Sequence, residues 1–318
     1  MDAIEIFKQL IGEKIKPMII KYEPYKYVFT THPYSHILDV NFEARFTDTV
    51  FDSILFYAYE KDEIEKEYQK GHLDDLRKAS RVAYENRVPK TEKEADGLLG
   101  ELTLDCFIKL FFPDIEMLYS RAKYLERRPH KEETVERKGH EIKGYDCMVF
   151  SIENGNKYFW VGQVKTGDWK YCLDGIKDDI NKSIIKYYFA DTITILCDIM
   201  RAVNSTSVEL SKIIEDINDI IFDCNSNRPE QTERILQYFK QEQIVIRIPC
   251  LVMPNESDYD DSSRLIDNIK TKIKNAFKDF VLVNNNKLDI EVLLLVFPLR
   301  NLDKVRELFL EVRKVWAY

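Results

Sequence analysis

Apolar positions along this chain fall into two rhythms, and their alternation outlines the fold. Near the N-terminus a short amphipathic stretch precedes extended runs at MIIKY (18–22) and YVFTT (27–31), broken by Pro24 and Pro33. A strand-like FEARF (42–46) leads into the apolar run TVFDSILFYAY (49–59). Residues 61–85 are charge-dense, with Ile64, Tyr68, Leu76 and Val82 as sparse apolar positions at helical period. Leu98, Leu99, Leu102, Cys106 and Leu110 form a stripe that predicts a helix over 92–112, capped by Thr91 and ended by Pro113. A strand is expected over 115–124. Two aromatic-rich runs then flank Asn154-Gly155, the strongest short-range signal for a two-residue hairpin turn.

Beyond the hairpin, the pattern predicts a polar amphipathic helix over about 171–189 and a helical section over 191–243, with caps at Ser205 or Thr206 and a new start at Pro229. Strand IVIRIPCLVM (244–253), a helix over 263–280, strand DIEVLLLVF (289–297) and a helix over 302–316 complete the chain. Apolar strands alternating with helices imply a covered sheet in an α/β or α+β fold. No low-complexity linker or repeat marks a sharp boundary. We divide the chain into an N-terminal α/β region (1–90), expected to bind a partner, and a core (91–318) carrying a helical insertion at about 191–243. The insertion is assigned to the same partner surface, because neither block supplies motif residues.

Composition narrows the class. With 318 residues, 45% hydrophobic and 32% charged, the chain can bury one large core or two modest ones. No run of eighteen apolar residues occurs, and the first residues include acidic ones, so a cytoplasmic protein without membrane contact is expected. The six cysteines are scattered without a C-x-x-C pair and read as reduced core thiols. His32 and His36 are four apart, but Pro24 and Pro33 argue against a helix that would make them a metal pair. P-loop, G-x-G-x-x-G and G-x-S-x-G patterns are absent, so ATP hydrolysis, serine-hydrolase chemistry and a bound nucleotide cofactor are not expected. A net charge of −8 argues against coating nucleic acid through bulk electrostatics. Locally, however, residues 121–143 hold eight Lys/Arg against five Glu, and Arg127-Arg128 in this strip could guide a phosphate backbone.

The hairpin carries the candidate chemistry. If Asn154 and Gly155 form the turn, counting outward places Asp146 opposite Gln163, with Lys165 two residues on and therefore on the same face. A carboxylate, an amide oxygen and an ammonium on adjoining strands suit a divalent metal and a phosphate. Asp146, Gln163 and the Val164 carbonyl are candidate ligands for Mg²⁺ or Mn²⁺, and Lys165 a cation for the attacking water or the developing charge. Glu101, bordering the apolar stripe of the upstream helix, is a further candidate ligand. Lys182 and Ser183, on the helix after the motif strand, are weaker candidates for phosphate contact. Trp160 alternates with the motif residues and is expected to pack in the sheet.

These residues resemble the PD-(D/E)xK nuclease superfamily: Gly100-Glu101 on a helix, Asp146 in GYD on a strand, and QVK (163–165) on the next. The resemblance implies a restriction-endonuclease-like core, a central mixed sheet flanked by helices, with catalytic residues Asp146, Gln163, Lys165 and Glu101. Over most of the chain, the GEL helix, the G-x-VK-T strand, IPCLVM and VFPLRNLDKVRELF are similar to the HamA family of Hachiman antiphage defence. That similarity implies a bacterial DNA-degrading effector beside a helicase partner, HamB. One position departs from the superfamily pattern, which usually has an acid where Gln163 stands. Losing that charge weakens metal binding, so the metal is held by Asp146 and Glu101, or activity stays low until DNA or a partner completes the site. Two other readings follow: a catalytically weak or inactive nuclease-fold subunit acting as a partner- or DNA-binding scaffold, and a stand-alone restriction-type endonuclease.

Overall fold

The computed structural model describes residues 1–59, 61–88, 94–112, 116–119, 124–125, 140–141, 146–183, 208–224, 228–257, 259, 262–283 and 287–314. The N-terminal helical segment consists of α1 (Ala3–Phe7), a π turn (Lys8–Gly12) and α2 (Glu13–Ile15). Strands β1 (Ile19–Lys21), β2 (Tyr25–Lys26) and β3 (Thr30–His36) follow. Next come α3 (Phe42–Asp52), α4 (Ile54–Ala58), α5 (Lys61–Gln69), α6 (Leu76–Arg87) and the long α7 (Glu94–Phe111). After β4 (Glu116–Tyr119), β5 (Tyr124–Leu125) and β6 (His140–Glu141), the hairpin β7 (Cys147–Glu153) and β8 (Asn156–Gly167) leads into α8 (Trp169–Asp178). The chain then runs through α9 (Val208–Asp223), α10 (Arg228–Gln241), β9 (Val245–Pro254), α11 (Ser262–Ala276), β10 (Ile290–Val296) and α12 (Leu302–Lys314).

The result is an α+β architecture built on one eight-stranded mixed sheet, ordered β1-β3-β10-β9-β8-β7-β4, with β2 pairing to β3. β3, β10, β9 and β8 run parallel, so their carboxyl ends open on one edge; β1, β2, β7 and β4 pair antiparallel. β5 and β6 form a separate two-stranded ladder. β9 and β10 are buried along almost their whole length, as expected of central strands covered on both faces. Trp160, Leu251, Met253, Leu293 and Leu295 face one apolar layer with α3, α4, α7 and α12. Phe159, Val161, Cys250, Val252 and Leu294 face the other with α8, α9, α10 and α11. Because β3 pairs with β10, the first 90 residues share this sheet.

Two local expectations need correction. FEARF is the start of α3, not a strand: Phe42, Phe46 and Val50 recur every four residues and are all buried, so the helical stripe outweighs the β-like look of the short run. The strand anticipated at YVFTT begins only at Thr30 and continues through Pro33 to His36. Pro33 lies between the residues that pair with β1 (34–36) and those that pair with β2 (30–31), where only its carbonyl is used, accepting the Tyr22 N–H (3.1 Å); β10 pairs with it on the other side at Val296. On this strand His32 lies edge-on to Phe112, and burial holds its pKa down at about 4. His36 stacks on Phe42 and Tyr259, and the Arg300 N–H donates to its Nε2 (3.3 Å). The caps anticipated at Thr91, Ser205 and Thr206 lie outside the described residues, as does 184–207 within the anticipated helical stretches.

One close approach docks the site's helix onto its strand. A Cβ on Gly100 of α7 would stand 2.6 Å from Val164 Cγ1 and 3.3 Å from Thr166 Cγ2 on β8. Val164 is β-branched and stiff at χ1, so it cannot easily move aside. Gly100→Ala should therefore cost about 1–3 kcal/mol, measured as a lower urea midpoint at unchanged m-value. An unchanged midpoint would show that the helix and strand are less tightly docked than described.

Candidate active site

The turn fixes the register of the site. Asn154 and Gly155 both take positive φ (50° and 78°), as a type I′ turn requires. Glu153 pairs with Asn156 and Cys147 with Gly162, so one further step sets Asp146 across from Gln163. At this end the regular ladder gives way to a side-chain contact. The Asp146 N–H donates to the Gly162 carbonyl (3.0 Å), and Asp146 Oδ2 accepts the Val164 N–H (2.8 Å). The carboxylate is thereby held against the motif strand by a charge-assisted bond.

Side chains then alternate along β8. Val164 and Thr166 meet α7 at Gly100, whereas the Lys165 methylenes lie on Gly175 of α8, across the sheet. Gln163 shares Lys165's face by that alternation; it is buried, and its amide makes no hydrogen bond among the described residues. Glu101 comes from the α7 side, next to the Gly100 crossing, and its Oε2 accepts the Tyr57 hydroxyl of α4 (2.8 Å). The structure thus brings Asp146, Gln163 and Lys165 together at the carboxyl end of β8 and brings Glu101 to the same strand end from the opposite face. Arg127 and Arg128 lie outside the described residues. Lys182 and Ser183 belong by backbone to the π turn Asp179–Ser183 that extends α8; their side chains are outside the description.

Three partners carried no signal in the motif. Asp179, at the start of that π turn, pairs with Lys165 (Nζ–Oδ2 2.7 Å). The clue available in the sequence was its spacing, four residues past Gly175, whose missing side chain makes room for the lysine. Tyr57 and Arg306 are distant in sequence; Arg306 Nη2 donates to Thr166 Oγ1 (2.9 Å) and to its carbonyl (3.3 Å). Asp168 caps α8 by accepting the Tyr171 N–H (2.8 Å), and Lys177 pairs with Asp174 (2.6 Å), so these charges serve the helix itself. Trp160 is fully buried and donates to Ser151 Oγ (2.7 Å), packing in the sheet as expected.

The electrostatics assign a role to Lys165. Burial alone would pull its pKa down, but the hydrogen bond and charge of Asp179, with the Asp146 charge, outweigh it and hold the ammonium above the ordinary lysine range. Lys165 is therefore a cation rather than a ready proton acceptor. Cys172, whose thiol contacts the Lys165 carbonyl (3.4 Å), is pushed up to about 12 by burial, so it lines the site as a protonated thiol. None of the five cysteines among the described residues is in a disulfide.

A hard divalent ion fits the chemistry of the donors on the Lys165 face, which are the Asp146 carboxylate, held by the Val164 N–H, and the Gln163 amide oxygen. Among the described residues no three His, Cys, Asp or Glu side chains are grouped to hold a metal. A cation here would therefore need oxygen from Gln163, from backbone carbonyls or from Glu101 to complete the set begun by Asp146.

The sequence profile of the HamA family matches residues 18–312. The chain belongs to the HamA family. The match runs from β1 into α12 and takes in every residue placed at the site above. This HamA protein is accordingly a component of Hachiman antiphage defence, a system with further subunits. No curated protein and no solved structure matches the chain. Among the described residues no helix is long and apolar enough to cross a membrane.

The Lys165–Asp179 pair gives a signed pH dependence. The folded-state pKa of Lys165 is raised, so the pair's stabilisation is complete below the ordinary lysine value of about 10.4 and is lost as pH rises through the folded value. Urea unfolding from mildly to strongly alkaline pH should show a steeper loss for wild type than for Asp179→Asn. Parallel curves would remove the ion pair from the account.

Proposed function

We propose that this HamA chain is a metal-dependent DNA nuclease, the effector of its defence system, working beside a helicase subunit. The observation that carries the reading is the meeting of Asp146, Gln163 and Lys165 on one face at the carboxyl end of β8, with Glu101 arriving on α7. Ligand sites of open α/β sheets gather at such strand ends. The choice of DNA and of a helicase partner rests on the resemblance to the HamA family.

In this reading Asp146, oriented by the Val164 N–H, and Gln163 hold a Mg²⁺ or Mn²⁺ ion, with the Val164 carbonyl and Glu101 as further oxygen donors. The ion, when bound, supplies Lewis-acid polarisation of the phosphate and a more acidic water. Lys165, kept protonated by its surroundings, stabilises the negative charge that builds on the phosphate oxygens during displacement. Its pairing with Asp179 holds the ammonium on the Gln163 face. Tyr57 steadies the Glu101 carboxylate, the kind of outer hydrogen bond that orients a metal ligand.

A second reading has its own support. Gln163 stands where the nuclease pattern has an acid, and Lys165 is already engaged by Asp179. Both features suit a subunit of nuclease fold that binds DNA or a partner without cutting.

Cleavage of linear, circular and single-stranded DNA distinguishes the two. The nuclease reading predicts cutting in Mg²⁺ or Mn²⁺ that stops in EDTA and falls at least about a hundredfold in Asp146→Ala and Lys165→Ala, on the scale of removing one stabilising group. Cutting by the chain alone would point to a stand-alone endonuclease, and cutting only with the helicase present to a partner-held effector. No cutting in either setting would leave the scaffold reading in its place.

A further inference from the structure

The cation of the motif strand is already engaged. Lys165 Nζ lies 2.7 Å from Asp179 Oδ2, and among the described residues this is its only ion pair. The Asp179 side chain is 20% exposed and that of Lys165 23%, so water and salt screen the pair less than they would one on the open surface. Asp179 opens the π turn Asp179–Ser183, four residues past the glycine on which the lysine stem lies. Turns of this kind inside helices recur at functional sites.

The turn is fixed by an element remote in sequence. Asn181 Nδ2 donates to the Val281 carbonyl (3.1 Å), and Asn181 Oδ1 accepts the Val283 N–H (3.1 Å). Just before the turn, Lys177 Nζ donates to the Ala276 carbonyl at the end of α11 (3.3 Å). The carboxylate is therefore carried on backbone tied down on both sides. The lysine needs no such tie, because its methylenes pack along Gly175.

An ammonium has three donors, so hydrogen-bond geometry alone would let Lys165 hold Asp179 and a phosphate together. Charge opposes that arrangement. A carboxylate 2.7 Å away offsets the positive field that draws a phosphate, and it repels the phosphate itself. We propose that Asp179 is an autoinhibitory latch, a carboxylate that occupies Lys165 until a DNA phosphate displaces it. The inference rests on the nuclease-site reading for its choice of anion. Displacement leaves the lysine stem on Gly175 and passes its ammonium from carboxylate to phosphate. Asp179 thereby sets how firmly a strand must be held before the cation is given up to it.

The test is a double-mutant cycle on DNA binding by the full chain. Fluorescent single-stranded and duplex oligonucleotides are titrated, with Ca²⁺ replacing Mg²⁺, into wild type, Asp179→Asn, Lys165→Ala and the double variant. Asp179→Ala is a second form of the first substitution, should the amide find a new partner. A latch predicts tighter binding in Asp179→Asn and Asp179→Ala, on the order of tenfold, the scale of one charge-assisted bond no longer given up. The gain should vanish when Lys165 is Ala. Unchanged or weaker binding without the carboxylate would make Asp179 a support that holds Lys165 in place, and would overturn the proposal. A gain that persists without Lys165 would be a general effect of removing negative charge, and would overturn it too. If the Lys165-dependent gain appears but no form cuts in Mg²⁺, alone or with the helicase, the latch stands and the nuclease reading falls. If wild type cuts and Asp179→Asn neither binds nor cuts better, the reverse holds. Absence of DNA binding by every form, alone and with the helicase, would overturn both.

Discussion

The contact between the Val164 N–H and Asp146 Oδ2 is the point where hairpin register becomes site chemistry. It exists only because Asn154 and Gly155 form the turn, which counts Asp146 opposite Gln163. A slip of one residue would send Lys165 and Gln163 to the other face of the sheet and Val164 into their place. That slip is opposed from both sides: Val164 is seated against Gly100 of α7, and Lys165 lies along Gly175 of α8. The two glycines admit the strand's alternating side chains, and with them the position of every polar group at this edge.

Each functional side chain has an anchor from a different part of the fold. Asp146 is held by the backbone of β8, Lys165 by Asp179 at the end of α8, and Glu101 by Tyr57 of α4. Arg306 brings in α12. Rigid elements thus converge on the carboxyl ends of the parallel strands. Tyr57 also ties the first 90 residues to the site, a consequence of β3 entering the same sheet. The balance of charge matters as much as position, because Asp179 and Asp146 together keep Lys165 cationic despite its burial.

Much of this was legible in the sequence for physical reasons. Asn-Gly turns have few alternatives, so the pairing of β7 with β8 could be counted residue by residue. The stripe from Leu98 to Leu110 announced α7, and the apolar runs of β9 and β10 announced buried central strands. FEARF misled because five residues are too few to separate a helical period from an extended one; only Val50, one turn further, decides it. Pro33 misled because a proline is tolerated in a strand where the ladder on one side is interrupted, and that depends on where β1 and β2 end. Tyr57, Asp179 and Arg306 were hidden for another reason. Their roles come from tertiary proximity across as many as 140 residues, as in the bond from Arg306 to Thr166, and no local pattern records it.

The most direct test of the central claim, a metal site at the end of β8, is a crystal structure with Mn²⁺ and anomalous scattering from the metal. The account predicts a peak at oxygen-ligand distance, about 2.0–2.2 Å, from Asp146 and within reach of Gln163, lost in Asp146→Ala crystals grown the same way. A fully occupied Mn²⁺ elsewhere in the protein, with nothing beside Asp146, would contradict it.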